Sequence, residues 1–216
     1  MLADHVGSIL FPQVFILRIV GRLAFPIFAF FIAEGYRHTT NVKKYLLRIF
    51  IFFIVSEPIY LYAHYNMKVK SLSIFATLFL GIVALYLYDS IKNKKYGFFC
   101  IFLISILSYL IKADYGFFGI FLIFFFYFYD IKKDFYKLFF IQLLLISVYV
   151  LFMPIQYASI GIQVPTIWML IQFIFLLPLF IIKYYYDGQR GKYSKYLFYV
   201  FYPGHLLLIG FLARFL

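Results

Sequence analysis

Cysteine is almost missing from this chain of 216 residues. The one thiol, Cys100, excludes an internal disulfide and a cysteine-rich metal site, and its apolar surroundings make it a filler residue. Acidic side chains are scarce as well, eight against twenty lysines and arginines, which gives a formal charge of +12. There is no nucleotide-binding glycine loop, no HExxH, no CxxC, no serine elbow and no metal triad. Low-complexity tracts and internal repeats are also absent. No polar stretch is long enough to fold as a soluble unit, so residues 1–216 read as one domain.

What the chain has in excess is apolar surface. It is 66% hydrophobic, with a mean hydropathy of +0.96, more than a soluble domain of this length can bury, so lipid must be its solvent. Its 32 Phe and 22 Tyr, alongside abundant Ile and Lys, fit the residue usage of an AT-rich genome, and any single aromatic reads first as packing or lipid contact. A charge of +12 would suggest nucleic acid in a soluble protein; here the cations fall between apolar runs, and nucleic-acid binding is not expected.

The apolar runs and their breaks predict an all-α, polytopic transmembrane bundle of about nine spans: 1–14, 15–36, 43–64, 71–91, 96–111, 115–131, 136–153, 166–183 and 195–215. Thr40-Asn41 and Ser71 are placed to cap the third and fourth spans. The first span is too short to cross, so it is either a half-membrane segment or the remainder of a longer one whose start lies upstream, and the second is the expectation. Arg37, Lys43, Lys44 and Arg48 follow span two, Lys92, Lys94 and Lys95 follow span four, Lys132, Lys133 and Lys137 follow span six, and Lys183, Arg190, Lys192 and Lys195 follow span eight. The alternate connections hold only Lys68, Lys70 and Lys112. This asymmetry puts the basic connections in the cytoplasm.

Charges inside the spans are the sharper signal, since each costs roughly 2.5–3.5 kcal/mol at the centre of a bilayer. Arg18, Arg22 and Glu34 all lie within one apolar run, residues 15–36. Counting 1.5 Å per residue from the turns places His5, Arg22, Glu57 and His205 at one depth, with His5 and Arg22 about 12 Å below the outer ends. Glu57 is the expected partner of the arginines; Asp4 points about 100° away from His5 and is not expected to orient it. His38 and His64 fall at span ends and are expected to be solvated. Structural ion pairs and interhelical hydrogen bonds are the competing reading of the whole set. At the other end, Glu34 to Asn41, Lys43, Lys44 and the Asp187-Gly188-Gln189-Arg190-Gly191-Lys192 stretch combine glycine with cations, a pattern suited either to a nucleotide phosphate or to a turn with an ordinary topology signal.

LADHVG near the start, GRLAFPIFAFFIAEGYRHTTNVKKYLLRIFIFFIVSEPIY across spans two and three, and YDGQRGKYSKYLFYVFYPGHLL at the end resemble the TraX family of membrane proteins, in order along nearly the whole chain. The segment KADYGFFGI agrees in style more than in distinctive residues. The founding member of that family is linked to acetylation of the N-terminus of conjugative pilin. The family is similar to a wider group of multi-span acyltransferases that use cytosolic acyl-CoA, in which a first-span histidine is the reaction centre. The resemblance therefore implies an acetyl-CoA-dependent enzyme of the bacterial inner membrane, acting on an amine or hydroxyl of a peptide or glycan. His5 would be the general base, with Arg22 or His205 at the developing oxyanion and Glu57 holding Arg22. Arg37, Lys43, Lys44, Arg190 and Lys192 would hold CoA phosphates beside Glu34, and no metal is implied. Relatives carry roughly one more half-span before the DHxG pattern. A transporter or flippase lined by the same charges, and a non-enzymatic assembly factor for conjugation or secretion, are the alternatives.

Overall fold

The computed structural model describes residues 1–65, 71–158, 161, 163–189 and 194–215. The protein is about 80% helical, with no strand among those residues. Each predicted span contains helix. The elements are α1 (Leu2–His5), which continues as a π-helical turn over Val6–Leu10, α2 (Phe15–Arg22), α3 (Ala24–Arg37), α4 (Val42–Ala63), α5 (Ile74–Ser90), α6 (Lys94–Leu110), α7 (Gly116–Phe128), α8 (Phe135–Ala158), α9 (Thr166–Ile171), α10 (Leu177–Tyr185) and α11 (Ser194–Leu212). Four helical stretches, Phe15–His38, Val42–Ala63, Phe135–Ile155 and Thr166–Tyr185, are long and apolar enough to cross a membrane, and Ile74–Ser90, Gly116–Phe128 and Val200–Leu212 are shorter apolar helices.

Prolines account for the breaks. Pro26 has no N–H to return to the carbonyl of Arg22, and the chain kinks between α2 and α3 at Leu23, whose own N–H turns back tightly to Val20 (3.3 Å). Pro178 does the same beyond α9, where Gln172–Leu176 tighten into a 3-10 segment before α10. Asn41 caps α4 by accepting from the N–H of Lys44 (2.9 Å), as expected. The cap of α5 is Ser73 rather than Ser71.

Packing inverts the pattern of a water-soluble protein. Along α6, Gly97, Ile101, Ile104, Ser105 and Ser108 are buried, while Phe98, Phe99, Phe102, Leu103, Ile106 and Leu107 face outward. Small residues lie where helices meet and large apolar ones where lipid lies. α5, α6 and α7 pack on one another, α3 lies on α5 and α7, α4 bridges α5 and α11, and α1 lies on α2 and reaches α11. Phe25, Phe30, Phe118, Phe126 and Phe175 fill the centre. Gly21 lets α1 and α2 touch, because a Cβ there would sit 2.6 Å from the Cα of Asp4.

Candidate functional site

The contact of α1 with α2 and α11 determines what His5 meets. Its ring centre lies 5.4 Å from that of His205 on α11, 5.4 Å from that of His64 at the end of α4, 6.0 Å from Tyr202 and 6.4 Å from Tyr60. His5 and His205 are 8% and 7% exposed, so both imidazoles are out of solvent. His64 Nδ1 donates to the carbonyl of Tyr60 (2.9 Å) and His205 Nδ1 to that of Phe201 (2.6 Å), since a carbonyl can only accept. That leaves Nε2 of both rings unprotonated in the neutral form. Buried polar atoms without a hydrogen-bond partner among the described residues gather at the same place: His5 Nδ1, His205 Nε2 and the Tyr202 hydroxyl. Such a set is rare in a structural core and common where something else binds.

Charged groups ring this cluster, in pairs that differ from the expected ones. Arg18 forms its ion pair with Asp4 (2.8 Å) and also donates to the Asp4 carbonyl (3.1 Å). Arg22 does not meet Glu57. It donates to the hydroxyl of Tyr115 (3.3 Å), its Nε has no partner among the described residues, and Asp4 and Asp114 are the carboxylates whose charge reaches it. Glu57 instead receives the backbone N–H of Ser73 (3.1 and 3.3 Å) and so holds the N-terminus of α5, where negative charge is favoured. Tyr60 pairs with Ser71 Oγ (2.9 Å) just above it. These contacts bring the start of α5 level with Glu57. His64, expected to be solvated, is half-buried and packs against His5.

Tyr115 was not singled out by the sequence. It takes a left-handed conformation (φ 64°), as does Lys112 (φ 56°), and its ring stacks on Phe25 (3.7 Å). The connection is pinned from Leu72, whose N–H donates to the Lys112 carbonyl (2.9 Å) and whose carbonyl accepts from the Asp114 N–H (3.1 Å). Thr77 adds a hydrogen bond to the Asp114 carbonyl. Positive φ at two non-glycine residues was the signal, invisible in composition. Burial raises the Asp114 carboxyl to about 6, against the opposing pull of Arg22.

A cavity of about 1240 Å³ opens at the end of the bundle that carries the basic connections. Glu34, His38, Thr39, Thr40 and the Asp187-Gly188-Gln189 turn form its mouth; Ile49, Ile74, Phe75, Leu78 and Phe201 wall its interior; Tyr202 lies on its lining and touches His5. Of the expected phosphate ligands, Glu34 lines the mouth, held by Arg37 and by the Tyr186 hydroxyl (2.9 Å). Arg37 donates to the Phe126, Tyr127 and Tyr129 carbonyls (2.6–3.1 Å), and so caps the end of α7 rather than standing free. Lys43 and Lys44 are exposed and do not line the cavity. Arg190 and Lys192 lie outside the described residues. Arg48, which the sequence offers only as a topology signal, does line it; its Nε has no partner among the described residues, and its guanidinium lies over Tyr45 (5.3 Å). No group of His, Cys, Asp and Glu able to hold a metal occurs among the described residues.

Fold and site together define a class: a polytopic α-helical membrane protein with a buried imidazole cluster next to a large cavity, the two joined through Tyr202. Residues 1–213 match the family described as TraX protein. The chain belongs to the TraX family. It is similar to a probable fimbrial assembly protein, FimC of serogroup H1, from Dichelobacter nodosus, at 28% identity over 213 residues, which cover 89% of this chain and 81% of that one. It is also similar to an uncharacterized protein of Rickettsia prowazekii (strain Madrid E), at 32% identity over 120 residues, 54% of this chain and 46% of that one. No solved structure matches.

Proposed function

We propose that this protein is an acetyltransferase of the bacterial inner membrane that moves an acetyl group from cytosolic acetyl-CoA to an amine or hydroxyl of a peptide or glycan, with pilin as one candidate. The observation that carries the reading is the cavity: it starts among polar groups at the basic end and reaches Tyr202, whose ring separates it from His5 and His205 with their unpartnered nitrogens. Its volume lies above the range of ~300–1,000 Å³ usual for small-molecule sites, as a long cosubstrate requires. The donor's phosphates would lie at the mouth, near Arg48 and His38, with its pantetheine along the apolar walls. The thioester would then rest beside His5, where little water competes for it.

His5 is suited to be the base. A neutral imidazole accepts the proton of the incoming nucleophile as that atom attacks the thioester carbon, and returns it to the departing thiolate. Nothing in this step requires a metal. His205, once protonated, or the Tyr202 hydroxyl would donate to the developing oxyanion, a contribution whose loss costs about 3–4 kcal/mol of transition-state stabilisation in well-studied cases. The fimbrial assembly name of the Dichelobacter relative favours a second reading, a non-enzymatic role in building a pilus.

Purified protein in detergent, given acetyl-CoA and a panel of envelope peptides and polysaccharides, separates the two. The enzymatic reading expects free thiol to appear with a stoichiometric mass gain of one acetyl group on an acceptor, and both to disappear in His5→Ala. Acetyl transfer that survives His5→Ala would reject His5 as the base, and a folded wild type that releases no thiol with any acceptor would reject the enzyme.

A further inference from the structure

We propose that His64 is the proton partner of His5, a positioning residue that receives the N–H of neutral His5 and so fixes which of its nitrogens faces the cavity as the base. This rests on the acetyltransferase reading above for its catalytic consequence, and on the geometry of the three imidazoles for the pairing itself.

His5 has two imidazole neighbours at equal distance, both 5.4 Å between ring centres. Both neighbours have Nδ1–H committed to a carbonyl four residues back, so each offers a lone pair on Nε2. A neutral His5 has a single N–H to give, and the two sides are not equivalent. His205 is 7% exposed, lies beside the cavity-lining Tyr202 and stacks on Phe201. His64 is half-buried, stacked on Tyr60 (4.1 Å) and seated at the C-cap of α4, and it has no contact with Tyr202 or Phe201 like those of His205 among the described residues. Helix C-termini favour an adjacent positive charge. From α1 and α2 the charged groups acting on His64 are Asp4 and Arg18, which pair with each other, and just beyond α11 Arg214 lies over Tyr62 and Tyr65 at the same helix end. Sharing a proton with His64 therefore puts the developing charge at a helix C-terminus, which neither His5 nor His205 offers. With its N–H directed to His64, His5 presents its other nitrogen toward Tyr202 and the cavity, where the nucleophile and the thioester meet.

The proton count closes. The nucleophile loses a proton to the cavity-facing nitrogen of His5 as the bond from N or O to the acyl carbon forms. His5 shares its other proton with Nε2 of His64 while the tetrahedral intermediate lives. When the C–S bond breaks, the thiolate takes the proton from the cavity-facing nitrogen, and the shared proton returns to His5. No oxidant, metal or further reactant enters. The arrangement does for a neutral imidazole partner what a carboxylate does in a hydrolase triad.

The test uses full-length protein with His64→Phe and His64→Gln. Phenylalanine keeps the stack on Tyr60 and removes the acceptor; glutamine keeps an acceptor that cannot be protonated. The expected result is a kcat lower by about 100-fold in His64→Phe, with KM for acetyl-CoA unchanged, and partial recovery in His64→Gln together with loss of the pH dependence that His64 contributes. Independently of activity, ¹⁵N spectra of histidine-labelled protein should show one tautomer of His5 in the wild type and in His64→Gln, and a mixture in His64→Phe. A His5 tautomer, kcat and pH profile unchanged in both variants would overturn the pairing. A tautomer that shifts as expected in a wild-type protein with no transferase activity would leave the pairing standing and remove the acetyltransferase reading.

Discussion

At the scale of single residues, the carboxylate with the most to report is Asp114. It lies in the connection between α6 and α7, near enough to influence Tyr60 and Tyr202, the tyrosines beside His5. Burial raises its carboxyl from the ordinary 3.8 to about 6 in the folded protein. The folded state therefore holds this proton more tightly than the unfolded chain does. Its contribution to stability is complete below about pH 4 and lost as pH rises through 6. Melting temperature followed by intrinsic fluorescence between pH 4.5 and 7 should fall with pH in the wild type, and Asp114→Asn should flatten that slope. A slope unchanged by the substitution would show that Asp114 titrates normally.

Residues also show where sequence reasoning reaches its limit. His5 and His205 could be matched in height because the rise per residue is fixed and the turns were easy to locate. Depth says nothing of azimuth, and Glu57, counted to the same depth as Arg22, accepts from Ser73 instead. His64 closes an apolar run, and nothing in the sequence tells such an end position from one that packs against another ring, as His64 does against His5. Tyr115 was hidden for a different reason: nothing in KADYGFFGI announces a left-handed tyrosine held under an arginine.

At the scale of elements, the placement of His5 depends on how closely α1 lies against α2. Asp4 and His5 are carried by a short segment, about 14 Å over Leu2–Leu10, that packs along α2 and reaches α11. Two features fix it: the Arg18–Asp4 pair and the absence of a side chain at Gly21. Gly21→Val would drive the helices apart against the backbone of Asp4, which cannot yield as a flexible side chain would. Overpacking of this kind typically costs about 1–3 kcal/mol. Acetyl transfer should therefore fall to the level of His5→Ala while the bundle, held by α3 to α7, still melts cooperatively a few degrees lower. Full activity in Gly21→Val would mean that α1 does not set the position of the base. The breaks within the runs 15–36 and 166–183 were not legible, since Pro26 and Pro178 accompany them while Pro58, Pro154 and Pro203 lie inside unbroken helices. What proline could not reveal is that the kink at Leu23 directs Arg22 toward Tyr115.

At the scale of the whole molecule, the two ends of the bundle are unlike, and this is what a reaction between a cytosolic donor and an acceptor at or across the membrane would need. The basic connections and the large mouth share one end; the pinned loop around Asp114, with a second, smaller cavity of about 60 Å³, marks the other. The cation count made this polarity readable without coordinates. Which cations meet the ligand was not readable, because Arg37 turned out to be a helix cap and Lys43 and Lys44 point to solvent. Cysteine scarcity makes the polarity directly measurable. With Cys100→Ser as background, Thr40→Cys places a thiol at the mouth, and Tyr109→Cys places one beside the smaller cavity. A membrane-impermeant thiol reagent should label the first only in inside-out vesicles and the second only in right-side-out vesicles. Saturating acetyl-CoA should slow labelling at Thr40→Cys several-fold and leave Tyr109→Cys unaffected. If both thiols react from the same side, the positive-inside assignment is wrong; if acetyl-CoA protects neither, the large cavity is not where the donor binds, whatever the imidazole cluster does.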